Sequence, residues 1–210
     1  MKKIIIFLFL VSLPNYVQTQ IKNNNADFIN SAYQKLINKD YKGSIQDCNK
    51  ALKENPNSAE AYGIRGGVKA LTNDPKGALL DLNRAIKLNP NLAEPYKFRS
   101  MVRIKTDKQG ALADISKSIE LAPNNATNYT ARAQIELALG NNKDATNDLN
   151  KSIELYSKAI DKDPNDPGPY LSRAWAKILL GETQEACPDF KKAYELGILQ
   201  AADLIKQYCK

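Results

Sequence analysis

The stretch Ala59–Pro90, AEAYGIRGGVKALTNDPKGALLDLNRAIKLNP, contains two amphipathic segments separated by a turn. In the second segment, Leu79, Leu82 and Ile86 follow the i, i+3, i+7 spacing of one helical face. The residues Asn73-Asp74-Pro75 interrupt this periodicity, as a turn does. Small residues occupy the places where two helices would cross closely: Gly66, Ala78 and Ala85. The stretch therefore predicts a helix, a turn and a second helix.

The landmarks of this stretch recur along the chain. An aromatic residue near the start of the first helix is repeated at Phe28, Tyr62, Tyr96, Tyr129 and Tyr170. The proline that closes the unit is repeated at Pro56, Pro90, Pro123 and Pro164. Both markers recur at a nearly constant spacing, except that the last step of each is longer. A shared period of about 34 residues indicates helical hairpins arranged as a repeat array.

With this order of aromatic, small, bulky and proline residues, the chain resembles the tetratricopeptide repeat family. The resemblance covers residues 25–197 and implies an all-α fold, a right-handed superhelical solenoid of antiparallel helix pairs that serves as a surface for protein recognition. We expect five repeats, at residues 25–58, 59–91, 92–124, 125–166 and 167–197. Because the open end of a solenoid needs a cover, residues 198–210 are predicted to form a capping helix.

Repeat four is longer than the others by a seven-residue block. Its second helix contains two similar blocks in succession, KSIELYS and KAIDKDP. Seven residues make almost two helical turns, so the apolar face stays in phase. We therefore expect one long helix from about Lys143 to Asp161 and no loop between the blocks.

The start of the chain predicts export. Met1-Lys2-Lys3 precedes the apolar run IIIFLFLVSLP, which is shorter than the roughly 20 residues that span a bilayer. We interpret residues 1–19 as a signal peptide and residues 20–24 as a flexible linker. A short buried N-terminal helix is the alternative. The predicted location of the processed chain is the periplasm or the medium.

The composition argues against an enzyme. The chain has no histidine and three dispersed cysteines, which excludes histidine-based triads, histidine-containing zinc sites and four-cysteine metal sites. It also has no glycine-rich phosphate-binding motif. The formal net charge of +7 is spread over scattered lysines and forms no basic stripe of the kind that binds nucleic acid. We predict no catalytic residue, no cofactor, no metal and no nucleic-acid partner.

Arginine and aspartate also recur at fixed places in the repeats. The arginines three residues after the tyrosines are Arg65, Arg99, Arg132 and Arg173. The aspartates three residues after the small residue that opens the second helix are Asp47, Asp81, Asp114, Asp148 and Asp189. With this spacing, the arginine and the aspartate of a repeat would lie at similar heights on antiparallel helices. We predict a structural ladder of ion pairs, with a row of anion-binding arginines as the alternative.

The cysteines predict one disulfide. If the chain reverses at Gly197, Cys187 and Cys209 lie at similar heights on neighbouring helices. An exported chain meets an oxidising compartment, in which this bond can form. Two unpaired, packed thiols are the alternative. Cys48 faces a helix interface, where a buried, unreactive thiol is expected.

The resemblance also predicts a binding face. It assigns one side of the first helices to the concave surface of the solenoid. Five residues there are expected to contact an extended or helical protein segment: Tyr33, Lys97, Met101, Gln134 and Trp175. For Trp175, packing beneath the capping helix is the alternative. The family's carboxylate-binding clamp is not expected, because the corresponding positions contain a single lysine.

These observations predict a non-enzymatic, exported scaffold that binds a protein partner. The alternative is an envelope-associated module that uses its positive charge to recognise an acidic glycan or a lipid head group. Salt distinguishes the two functions, since binding through charge weakens steeply as ionic strength rises.

Overall fold

The computed structural model describes residues 13–209, with side chains from residue 25 onward. Within this range the regular structure is helical and contains no strand, which confirms the all-α fold class. The helices are α1 (Leu13–Ile37), α2 (Tyr41–Glu54), α3 (Ala59–Leu71), α4 (Pro75–Leu88), α5 (Ala93–Arg103), α6 (Lys108–Leu121), α7 (Ala126–Leu139), α8 (Asn142–Lys162), α9 (Pro167–Leu180), α10 (Thr183–Glu195) and α11 (Ala201–Tyr208).

Most of the predicted signal peptide, residues 1–12, lies outside the described residues. Residues 20–24, predicted as a flexible linker, are instead helical and lie within α1. The state of that segment after cleavage stays a prediction.

The chain divides into two compact units, the first ending at Val102 and the second beginning at Arg103. In the first unit, α1 packs against α2 and α3, α3 packs against α4, and α2 contacts α3. In the second unit, each helix from α6 to α10 contacts the helix that follows it. Neighbouring helices are joined by short turns, as in the predicted hairpins.

Three of the second helices begin with the same cap. The carboxylates of Asp40, Asp74 and Asp107 accept hydrogen bonds from the backbone N–H groups of the glycines three residues later, at 2.8 to 2.9 Å. These bonds satisfy backbone donors that the first turn of a helix leaves without a partner. The turn residues of the repeats therefore fix where α2, α4 and α6 begin.

Glycines in α3 allow neighbouring helices to approach closely. A Cβ atom on Gly66 would lie 2.7 Å from Cγ of Leu82 on α4. A Cβ atom on Gly67 would lie 2.7 Å from the ring of Phe98 on α5. Both distances are too short for real atoms, so larger residues would push the helices apart. The crossing predicted at Gly66 is confirmed by these contacts.

The prediction of a long helix in repeat four is confirmed. Helix α8 has 21 residues, whereas α2, α4 and α6 each have 14. Its buried face continues through the added turns with Ser152, Tyr156 and Ile160. Burial raises the pKa of the Tyr156 phenol, which is hydrogen-bonded to Thr130 on α7 and Ser172 on α9. The added block thus supplies packing between α7 and α9.

The C-terminal helix is shorter than the predicted segment 198–210. It begins at Ala201 because Gly197 adopts a positive φ of 103° and the next residues form a turn. Leu204, Ile205 and Tyr208 of α11 pack against a buried cluster formed by Ala174 of α9 and Ala186 and Phe190 of α10.

Candidate partner-binding surface

Three of the repeat arginines, Arg65, Arg132 and Arg173, each bind an aspartate through two parallel hydrogen bonds. Arg65 donates from Nε and Nη2 to the Asp81 carboxylate at 2.8 and 2.7 Å. Arg132 contacts Asp148 in the same way, as does Arg173 with Asp189. In each pair both residues belong to one repeat and the aspartate is buried. Two parallel, charge-assisted hydrogen bonds fix geometry as well as charge.

The repeat arginines, now including Arg99, also contact aromatic rings and polar side chains. Their guanidinium groups lie 5.3 to 5.9 Å from the ring centroids of tyrosines three residues earlier, which are Tyr62, Tyr96, Tyr129 and Tyr170. At three of them Nη1 donates to a polar side chain of the preceding repeat, in the pairs Arg65–Asn49, Arg99–Asn83 and Arg173–Ser157. Arg65 and Arg173 therefore use Nε, Nη1 and Nη2 within the fold, which disfavours the alternative of an anion-binding row.

Four of the repeat aspartates bind a cation seven residues after the recurrent aromatic. The added bonds are Lys35–Asp47, Lys69–Asp81, Arg103–Asp114 and Lys177–Asp189, at 2.6 to 2.9 Å. Repeat one has Ser31 where the others have arginine, and its hydroxyl donates to Asp47 at 2.7 Å. Lys50 also bonds Asp47, so that aspartate binds two lysines. Arg99 lies in the first unit and Asp114 in the second.

Repeat four departs from this pattern. Glu136 occupies the place of the second cation and is buried. Its carboxylate accepts a hydrogen bond from the Asn141 side chain at 2.5 Å. Among the described residues, Arg132 is the one cation bonded to Asp148. The hydrogen bond to Asp148 raises the pKa of the Arg132 guanidinium, and the negative charge of Glu136 contributes to the same shift. Repeat four therefore holds two buried carboxylates around a single guanidinium.

The ladder is expected to be acid-sensitive. Burial would raise the pKa of Asp81, but the hydrogen bonds from Arg65 and Lys69 outweigh it and hold that pKa below its ordinary value. A depressed folded-state pKa stabilises the fold above the unfolded value, about 3.9, and the stabilisation is lost as pH falls below it. Urea unfolding measures the free energy of unfolding at pH 6 and at pH 3. The decrease between the two pH values should be smaller in Asp81→Asn than in the wild type. An equal loss in both proteins would contradict this.

Four of the five predicted partner contacts are exposed. In the first unit, Tyr33 is 48% exposed and Met101 46%. In the second unit, Gln134 is exposed and Trp175 is 37% exposed. Lys97 differs, since its ammonium bonds Glu94 at 2.5 Å and lies 5.1 Å from the Phe98 ring centroid. The Lys97 ammonium is thus already engaged by two residues of its own helix.

On the first helices of the first unit, two exposed apolar side chains were not predicted from the sequence, Ile37 and Leu71. They are 56% and 43% exposed, and they are the last residues of α1 and α3. The two residues occupy equivalent places in successive repeats, so the repeat period itself was the signal that could have found them. Ile37 follows Tyr33 by four residues, so both side chains share one face of α1.

Trp175 also packs within the second unit. Its ring centroid lies 6.0 Å from that of Phe190 and 5.9 Å from that of Tyr208, both edge to face. Phe190 and Tyr208 are themselves stacked at 6.2 Å. Aromatic pairs of this geometry stabilise beyond the area that they bury. The structure therefore supplies contacts for the alternative in which Trp175 packs beneath the capping helix.

The structure joins Cys187 and Cys209 in a disulfide, and their Cα atoms are 5.6 Å apart. Cys48 is free and buried, and burial raises the pKa of its thiol to about 12. A thiol with so high a pKa is a poor nucleophile at neutral pH. Cys48 is therefore a packing residue.

Thiol counting on the denatured protein tests the disulfide. Without reductant we expect one titratable thiol, that of Cys48, and after reduction three. Cys187→Ser should lower the unfolding free energy by about 3 kcal/mol, because the bond closes a loop of intermediate length. Three thiols in the unreduced protein would refute the pairing.

Within the described part of the chain, no cluster of three or more potential ligand residues is placed to hold a metal ion. The described helices also include none with the length and apolarity to cross a membrane.

Comparison with known proteins agrees with this architecture. A family model described as tetratricopeptide repeat matches residues 155–187, and no curated protein matches the chain. The chain is similar in structure to TTC0263, a thermophilic TPR protein of Thermus thermophilus, with 17% identity, a TM-score of 0.71 and coverage of 88% of this chain and 98% of that one.

Two other solved structures share the fold. One is pilF of Pseudomonas aeruginosa, with 15% identity, a TM-score of 0.56 and coverage of 85% and 78%. The other is the first TPR of Spaghetti (RPAP3) bound to the HSP90 peptide SRMEEVD, with 20% identity, a TM-score of 0.51 and coverage of 56% and 94%. At these identities the likeness concerns the fold. The chain therefore has the fold of a solved TPR protein, and one stretch of it, residues 155–187, matches a tetratricopeptide-repeat model.

Proposed function

We propose that this protein is a non-enzymatic, exported scaffold that binds a segment of another protein on the first helices of its repeats. The repeat fold supports a role in protein–protein interaction, and one protein of similar fold was solved with a bound peptide. The apolar start of the chain supports export. The absence of histidine from the sequence supports a role without acid–base chemistry.

The observation that carries the proposal is the exposure of large apolar side chains on the first helices. Tyr33 and Ile37 lie one turn apart on α1, and Leu71 and Met101 are exposed on α3 and α5. A protein segment that covers such side chains removes apolar area from water, which is the main driving force of association. The bonds of Arg65 and Arg173 within the fold disfavour recognition of an anion by these two arginines.

In-cell crosslinking with a double variant tests the proposal. A photocrosslinker placed at Gln34, an exposed neighbour of Tyr33, should trap a protein in the wild type. Tyr33→Ser with Met101→Ser should reduce the trapped amount about tenfold or more, as the loss of hot-spot contacts does. Fractionation of the same cells should recover the protein outside the cytoplasm.

The matched control is Leu80→Ser, which removes an apolar residue that is 73% exposed on the second helix α4. This variant should trap as much partner as the wild type. Equal trapping by the wild type and the double variant, with unchanged thermal stability, would contradict the proposed surface. Trapping of a glycan polymer or lipid in place of protein would contradict the proposed class of partner.

A further inference from the structure

We propose that the face of α9 and α10 beneath α11 is an exchange site, which takes the α11 helix of a second copy of this chain when the Cys187–Cys209 disulfide is reduced. This inference does not depend on the identity of the partner proposed above, because it concerns contacts of the chain with itself.

The exchange site is apolar and is already occupied by a helix of the same chain. Its floor contains the buried Ala174, Ala186 and Phe190. Leu204, Ile205 and Tyr208 of α11 pack against that floor. The ring of Tyr208 stacks on Phe190 and meets the edge of Trp175. The site therefore fits an amphipathic helix with apolar residues at these positions.

Helix α11 has few other means of attachment. It has eight residues and no side-chain hydrogen bond at its N-cap. Helices shorter than about 12 residues are marginal in water without tertiary contacts. The covalent tie to α10 is the Cys187–Cys209 bond. When this bond is reduced, α11 is held by its apolar contacts and by the turn before it, where the N–H of Ile198 donates to the carbonyl of Ala193.

The second copy is the occupant that the chain itself supports. An identical α11 makes the same contacts, so exchange between two copies preserves all of them. The segment between α10 and α11 also exposes Leu199 by 71%, and Tyr194 beside it is 46% exposed. In an exchanged pair the two connecting segments run next to each other, so these apolar side chains can cover one another.

The redox step requires a dithiol reductant. One of its thiolates attacks Sγ of Cys209, which is more exposed than Cys187, and Cys187 leaves as a thiolate. The second thiol of the reductant then displaces Cys209 from the mixed disulfide. The reductant ends as a disulfide, having supplied two electrons and two protons, and both cysteines end as thiols.

Complementary cysteine variants test the exchange. Two full-length chains are made on a Cys48→Ala background, one with Cys187→Ser and the other with Cys209→Ser. They are mixed and oxidised with glutathione disulfide, which accepts two electrons and leaves as two molecules of glutathione. Docking of one copy's α11 on the other brings Cys209 to Cys187. We expect roughly tenfold more covalent heterodimer than homodimer, because docking raises the effective concentration of the two thiols.

The outcomes are distinct. A heterodimer in excess, with Cys187 joined to Cys209 by peptide mapping, supports the exchange. Similar amounts of heterodimer and homodimers would show unspecific oxidation and overturn it, as would the absence of covalent dimer. If a variant fails to fold, light scattering of the wild-type protein is used instead. In dithiothreitol the dimer fraction should rise with protein concentration, and Leu199→Ser should lower that fraction. A reduced wild type that stays monomeric would overturn the proposal.

Discussion

Arg132→Met is expected to destabilise the protein by about 3 to 5 kcal/mol, the cost of removing one partner from a buried ion pair. The reason lies in repeat four, where Asp148 has no second cation among the described residues and Glu136 is buried nearby. Without the guanidinium, two buried carboxylates would be left without a cation. Urea unfolding followed by circular dichroism measures the loss of stability.

Arg65→Met is the matched control. Asp81 keeps its bond to Lys69 in that variant, so the expected loss is about 1 to 3 kcal/mol, that of hydrogen bonds to a charged group. This range includes the bond from Arg65 to Asn49, which the variant also removes. A further change, Glu136→Lys in the Arg132→Met background, should recover part of the loss by restoring a cation at this place. Equal losses for Arg132→Met and Arg65→Met would show that the second cation has no role.

Trp175→Ala is expected to lower the unfolding free energy by about 2 to 4 kcal/mol, somewhat less than the full range for a buried tryptophan because the ring is partly exposed. This variant removes the edge-to-face packing of the indole on Phe190 and Tyr208. Since Tyr208 belongs to α11, the capping helix should also open more readily, which amide hydrogen exchange in residues 201–208 would detect.

Tyr33→Ala provides the comparison for an exposed aromatic residue. It should change stability by under about 1 kcal/mol, as surface substitutions do. If Trp175→Ala were as mild as Tyr33→Ala and weakened partner binding by about 2 kcal/mol, Trp175 would be a binding anchor and the packing interpretation would be wrong. Binding is measured with the partner trapped by crosslinking.

The fold was predictable from the sequence because the information that specifies it is local and repeated. Leu79, Leu82 and Ile86 define one helical face within a single helix, and a similar spacing recurs in the other repeats. The length of α8 was predictable for a related reason, since a seven-residue insertion preserves the phase of the apolar face. Periodicity specifies which side of a helix is buried, and the packing of helix pairs follows from it.

The details of the surface were less predictable because they depend on side-chain ends. Lys97 stood at an expected contact position, but Glu94 lies one turn before it and binds its ammonium. The buried Glu136 carries no signal in a pattern of apolar residues, and its contact with Asn141 depends on the turn. From the sequence, Trp175 could be a partner contact or a packing residue beneath the capping helix. Its packing depends on the ring of Tyr208, which belongs to a helix much later in the chain.

The bonds from Arg65 to Asn49 and from Arg99 to Asn83 have a consequence for how such a chain grows or shrinks by duplication. In each case the arginine of one repeat donates a hydrogen bond to the amide oxygen of an asparagine at the equivalent position of the preceding repeat. Because the acceptor is chemically identical at both junctions, removing the unit from 59 to 92 would bring the Asn49 amide to Arg99 in place of the Asn83 amide. These two junctions are therefore interchangeable, and the loss of this one unit by deletion would leave Arg99 with an equivalent acceptor.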